Sequence, residues 1–185
     1  MSQPHNFITY LETLTDDRAA LAALRRGLGQ PPGTVPDMYP YVVRWLPQDA
    51  YPNSWLERSY YLVAALYGLH PQSAPEGNLG DHFAQTLDPN PDHNTAVERR
   101  FMGLLTAHSD DLPFYLRQAI SFLKSKERPI NWHKLMWDVR DWGYPERQTR
   151  VQKRWATQFW RRREDDAPPD SNDADDVQDD EELFA

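Results

Sequence analysis

Apolar residues along this chain recur every three or four positions and almost nowhere alternate, so the pattern predicts an all-α protein. Leu21, Leu24 and Leu28 fall at i, i+3 and i+7 behind a cap expected at Thr15 or Asp16, and Gly27 and Gly29 are expected to end that helix. A short element over 38–45 is bracketed by Pro36 and Pro47. From Ser54, a good N-cap, a longer helix should run to Tyr67 with Leu56, Tyr60, Val63 and Tyr67 as its apolar stripe and Gly68 and Pro71 as its stop. The polar stretch 70–91 carries Pro and Gly. It is expected to be the most mobile connection, with a short helix near 81–86.

Four further helices follow. The first, over 94–107, turns Val97, Phe101, Leu104 and Leu105 inward. The second begins after Asp110 and Asp111 with Pro113 in its first turn, packs Tyr115, Leu116, Ala119, Ile120 and Leu123, and closes before Pro129. A shorter one is capped by Asn131, carries Leu135, Met136 and Val139, and breaks at Gly143. The last runs from Pro145 to about residue 163 with Val151, Trp155 and Phe159 at four-residue intervals on its buried side. No internal repeat is present. The chain therefore reads as a single-domain bundle of about eight or nine helices over 1–163, followed by a disordered acidic tail over 164–185.

Charge divides the chain more sharply than hydropathy does. The formal net charge is -8, yet residues 164–185 hold 11 of the 28 acidic side chains and no Lys or Arg, so the body carries 20 minus 17, or +3. Within that body, residues 1–116 have 7 basic and 13 acidic side chains, whereas 117–163 have 13 and 4, a balance of +9. A local excess of that size raises a positive potential of the kind that attracts phosphate backbones.

The arginines are also spaced as faces. Arg147, Arg150, Arg154 and Arg161 sit at i, i+3, i+7 and i+14 of the last helix, within a sector of roughly 60°, and Lys153 borders them. No acidic residue lies within that stripe to neutralise it. Arg117 and Lys124 share a face at i and i+7, a line that Arg128 extends, and Arg25 with Arg26 and Arg99 with Arg100 add two basic pairs. A single exposed Arg is ordinarily just solvated surface; the set, if its faces converge, forms a groove for a nucleic-acid backbone. Trp132, Trp137, Trp142, Trp155 and Trp160 have the residue type of base-stacking platforms. Helical spacing assigns Trp132 and Trp155 to the core instead, and leaves Trp160, off the buried stripe, as a candidate for a partner interface.

Enzymatic chemistry finds little footing. The six histidines show no i, i+4 pairing, no cysteine joins them, and no metal or cofactor is expected. His108, Ser109 and Asp110 are adjacent in sequence and so point in different directions, unlike a triad assembled across a fold. Gly27 and Gly29 follow a helix rather than a strand, with no Gly-Lys-Ser/Thr after them, so they do not make a phosphate loop. The absence of cysteine excludes disulfides. Met1-Ser2-Gln3-Pro4-His5 lacks a basic region leading into an apolar run and no stretch is long enough to span a bilayer, so a soluble cytoplasmic protein with no membrane partner is expected.

Leu24-Arg25-Arg26-Gly27, Glu98-Arg99-Arg100-Phe101, Leu116-Arg117, Ile130-Asn131-Trp132 leading to Asp141-Trp142-Gly143, and Arg150-Val151-Gln152-Lys153-Arg154-Trp155-Ala156 with Phe159-Trp160 occur in this order. In that set the chain resembles the CasB family, the small subunit of the type I-E CRISPR surveillance complex Cascade. The resemblance implies an all-helical, non-enzymatic protein of antiviral defence that works beside the other Cascade subunits and the guide RNA. It implies pairing with a second copy of itself, and a basic surface that holds target DNA, in particular the displaced strand, when the duplex opens. It points to Arg25, Arg26, Arg99, Arg100, Arg117 and Arg147, while Lys124, Arg128, Arg150, Lys153 and Arg154 follow from the faces above. A bridging subunit that touches only protein, or a free helical DNA-binding protein, would also suit the charge pattern. The acidic tail is not part of the family pattern; it reads as a solubilising extension, or alternatively as a cover that folds back over the basic faces.

Overall fold

The structure, a computed structural model, describes residues 3–165, with side chains as far as Arg161. The acidic tail expected from 164 onward therefore lies outside the described residues, apart from the backbone of its first two positions. Nine α-helices and three short 3-10 turns occur among the described residues, with no strand; one isolated bridge joins Ser73 to Ile130.

The centre of the molecule is α4 (Trp55–Leu69). Ser54 caps it as expected, its hydroxyl accepting the Glu57 N–H at 3.2 Å. Every residue from Ser59 to Gly68 is buried, so the expected single stripe is a helix covered on all sides. Gly68 does not stop it. A β-carbon there would lie 2.8 Å from Leu24 Cβ and 3.0 Å from the Arg25 nitrogen, so the glycine lets α2 (Arg18–Arg25) cross α4 at close range. The cap of α2 is Asp17, which accepts from the nitrogens of Ala19 and Ala20, rather than Thr15 or Asp16. Thr15 instead pairs its hydroxyl with that of Tyr67 at 2.7 Å. Leu28 lies beyond the end of α2 but still packs against the core.

Ahead of α2 stands a helix the spacing did not announce, α1 (Asn6–Glu12), which buries Phe7, Ile8 and Leu11. Seven residues are too few to be stable alone. Docking holds α1: the His5 N–H donates to His133 Nδ1 at 2.9 Å, and Trp137 Nε1 donates to the Gln3 carbonyl at 3.0 Å. The short element between prolines is α3 (Tyr39–Val42), continued at each end by a 3-10 turn.

The stretch 70–91, expected to be mobile, is anchored. Ile130 N–H donates to the Gln72 carbonyl at 3.0 Å and Ala74 N–H to the Ile130 carbonyl at 2.9 Å, while the Asn131 N–H reaches His82 Nε2 at 3.0 Å. Within it α5 (Leu79–Ala84) starts from a capping box of Asn78 and Asp81. The body continues with α6 (Thr95–Leu105), α7 (Leu112–Ser125), α8 (Trp132–Trp142) and α9 (Pro145–Asp165). Asn131 caps α8 by accepting the Lys134 N–H, and α9 crosses α5, α6 and α8, whereas α7 packs on α4 and α6. Trp132, Trp142 and Trp155 are fully buried, the latter two with ring centres 5.1 Å apart, so these three belong to the core. Trp160 is half-buried against Phe101 and Phe159.

Two consequences are measurable. A β-carbon on Gly80 would overlap the Trp155 carbonyl of α9, a backbone atom that cannot swing aside. Gly80→Ala should therefore cost about 3 kcal/mol of unfolding free energy, read as a lower midpoint in urea. Burial, with nearby Arg140 and His133, lowers the His5 pKa to about 4, and burial also lowers that of His70. Unfolded histidines protonate near the ordinary value of about 6.5, so stability is complete above that pH and is lost as pH falls toward 4. Unfolding midpoints should drop between about pH 7.5 and pH 5, and less so in His5→Phe; equal slopes in both proteins would refute the assignment to His5.

Candidate nucleic-acid interface

The C-terminal end of α4 gathers basic side chains from three segments. A buried helix ends in carbonyls that need donors and in a partial negative charge that favours cations. Lys124 of α7 meets that need, donating from Nζ to the Leu69 carbonyl at 2.8 Å. His70 turns its Nε2 to the Arg128 carbonyl at 2.8 Å, bringing the loop after α7 to the same place. Arg25 closes α2 beside Gly68, and the Arg117 guanidinium lies over Gly29, where a β-carbon would sit 2.9 Å from Nη1. Gly29 has φ +78°, a conformation that residues with a side chain rarely adopt. Arg25, Arg117 and Arg128 are exposed and have no ion pair among the described residues. Arg26, next to Arg25, is paired with Asp37.

A second basic face runs along α9, and there the expectation of an unpaired stripe needs correction. Partners absent from α9 come from α8. Arg154 Nη2 reaches Asp138 Oδ1 at 2.9 Å, and Arg147 reaches Asp141 at 3.6 Å while its guanidinium stacks 4.8 Å over the Tyr144 ring. Asp138 is nearly inaccessible and also takes the Lys134 ammonium and the Trp155 indole N–H, the latter at 2.7 Å. Arg154 is thus committed to holding α9 on α8. Arg150, Lys153 and Arg161 point outward without an acidic partner among the described residues.

The remaining pair stands apart from both. Arg100 lies 4.4 Å over the Phe122 ring, and Lys126 approaches the same ring at 6.0 Å. Phe122 is five residues past Arg117, about 140° around α7, so this pair flanks the opposite side of that helix. Arg99 is exposed and without an ion pair among the described residues. The named residues consequently do not meet in one groove: they form a face at the end of α4, a face along α9, and the Arg99, Arg100 pair between α6 and α7. Lys126 was missed by the spacing argument, although its place four residues after Phe122 marks the shared helix flank.

Residues 20–160 match the family model of CRISPR-associated protein Cse2. A CRISPR-associated protein Cse2 of Thermus thermophilus is 36% identical over 163 residues, covering 86% of this chain and 91% of that protein. The crystal structure of CasB from Thermus thermophilus aligns with a TM-score of 0.71 and 34% identity, over 86% of this chain and 99% of that one. A chain of a structure described as a CRISPR RNA-guided surveillance complex aligns with a TM-score of 0.67 and 25% identity, over 86% and 96% respectively.

The two kinds of basic residue should separate in a stability assay. Asp138→Ala leaves the Trp155 indole N–H and the Arg154 and Lys134 charges without their common acceptor, and should cost about 3 kcal/mol in urea unfolding. Arg150→Ala, an exposed change without a lost partner, should stay within about 0.5 kcal/mol of the parent.

Proposed function

The chain belongs to the CRISPR-associated Cse2 family, and on that footing we propose that it is a non-catalytic small subunit of a type I-E CRISPR RNA-guided surveillance complex in cytoplasmic antiviral defence. In this reading it sits beside the other Cascade subunits and the guide RNA, next to a second copy of itself, and holds the backbone of target DNA so that the opened duplex persists. The observation that carries the reading is the set of exposed cations without acidic partners among the described residues, Arg25, Arg117 and Arg128 on one face and Arg150, Lys153 and Arg161 on the other. Burying a charge in an ion pair silences it toward a ligand; these six are not silenced.

The energetics suit a modest clamp. When a guide RNA pairs with one strand of a duplex, the base pairs gained and lost nearly balance, so a few backbone contacts to the displaced strand tip the exchange. Guanidinium and ammonium groups read phosphates rather than bases, which implies weak sequence preference. Arg26, Arg147 and Arg154 already have carboxylate partners and contribute less to such a clamp than the unpaired residues. Lys124 and Arg100 keep their charge while being held by a carbonyl and a ring. Arg99 adds an exposed charge, without an ion pair among the described residues, apart from the two faces.

A bridging role without nucleic-acid contact is favoured by a different observation, the exposed apolar side chains Tyr39, Val43 and Tyr51. Surface of that kind fits protein contacts. The two readings part in one experiment: complexes assembled with Arg117→Glu, Arg150→Glu protein are compared with wild type for subunit content and for target-duplex opening. Normal assembly with at least tenfold weaker opening is the expected result, together with a salt dependence shallower by about 0.7 log units per lost phosphate contact. Loss of the subunit from the complex would instead make the basic faces protein-docking surfaces.

A further inference from the structure

The loop that follows α2 packs on α4 at both ends, through Gly27 beside Ala65 and Gly33 beside Tyr61. Gly29 and Gly33, with φ +78° and +86°, give residues 27–35 a course open to few other side chains. Between this loop, α4 and the first turn of α7 lies a cavity of about 550 Å3. That is within the roughly 300–1,000 Å3 typical of sites that take small planar ligands. Buried Met38, Tyr61 and Leu66 back it, Gln30, Thr34 and Asn53 add polar groups to its lining, and Phe114 stands at its edge with 61% of its surface exposed. Two guanidinium groups border it. Arg58 is engaged by Asp110 at 3.5 Å, while Arg117 has no ion pair among the described residues.

Phe114 and Arg117 are three residues apart on α7 and therefore neighbours on one helix face. An exposed aromatic ring beside a guanidinium without an ion pair among the described residues, at the edge of a recess backed by apolar side chains, matches a ligand that joins a flat hydrophobic body to an anion. A nucleotide within a strand has that composition. An apolar peptide side chain would fill the recess but leave Arg117 unanswered. The cations continuing along the same face, Lys124 and Arg128, then suit the phosphates of its neighbours.

We propose that this cavity is a nucleobase site: one base of the bound strand turns into the recess and stacks against Phe114 while its phosphate is held by Arg117. The proposal rests on the backbone-clamp reading above and adds to it a contact with a base. Stacking on an aromatic ring accepts any base, so the site strengthens and registers the strand without selecting a sequence.

The test measures binding of the full chain, at low salt, to a short single-stranded oligothymidylate and to a strand of equal length made of abasic sites, which keeps the phosphates and removes the bases. The intact strand should bind about tenfold tighter, the size expected for one stacked base. Phe114→Ala should erase that difference, and Phe114→Trp should restore it. Equal binding of the two strands by wild-type protein overturns the base site while leaving the backbone clamp standing. If neither strand binds, the backbone reading has failed and the base site falls with it. If Phe114→Ala keeps the difference between strands but no longer joins the surveillance complex, the recess belongs to a protein partner and the proposal is overturned.

Discussion

The architecture depends on the burial of α4. From Ser59 to Gly68 no side of this helix faces water, so it can exist only inside a jacket supplied by the rest of the chain. The helices α2, α7 and α8 provide most of it, and each meets α4 by a specific device. Gly68 admits α2, the Trp55 indole donates to the Val139 carbonyl of α8 at 2.8 Å, and Lys124 of α7 supplies a donor to the carbonyl of Leu69. The terminal carbonyls of a helix need donors from outside it, and at the part-exposed Leu69 the exposed Lys124 supplies one.

That requirement links stability to the basic surface. The end of α4 concentrates carbonyl oxygens and the negative pole of the helix, and the side chains collected around it are cationic. Some are structural by the evidence of their contacts, as Lys124 is. Others, Arg117 and Arg25 foremost, share the neighbourhood without a partner among the described residues. A ligand phosphate arriving there would meet charges already placed by the fold, with little reorganisation to offset. On α9 the same distinction separates Arg154, fixed on the buried carboxylate of Asp138, from the exposed Arg150 and Lys153, which have no acidic partner among the described residues. Position in the helical stripe cannot tell these apart.

Much of the helical architecture was legible because its causes are local. Periodic apolar residues, Ser54 and Asn131 as caps, Pro113 and Pro145 in first turns and Gly143 after α8 each act within a few residues of chain, and the helices appear where those signals put them. The failures have the opposite character. α1 is a seven-residue helix that exists because α8 offers it hydrogen bonds from more than a hundred residues away. Gly68 looked like a stop because glycine lacks helix propensity, but a close helix crossing requires its missing side chain. The segment 70–91 looked loose because it is polar, yet Gln72, Ala74, Gly77 and His82 hydrogen-bond to Ile130 and Asn131.

The sequence by itself determined the all-helical class, the helix faces, and the concentration of positive charge after residue 116, since propensity, periodicity and composition are properties of the chain in any conformation. Only the tertiary structure decided which charges remain available. Asp138, Asp141 and Asp37 each meet an arginine from another segment, and the recess beneath residues 27–35 is assembled from α4 and α7 as well as the loop itself. Ion pairing and cavity shape depend on distances between segments remote in sequence, and no local pattern records them.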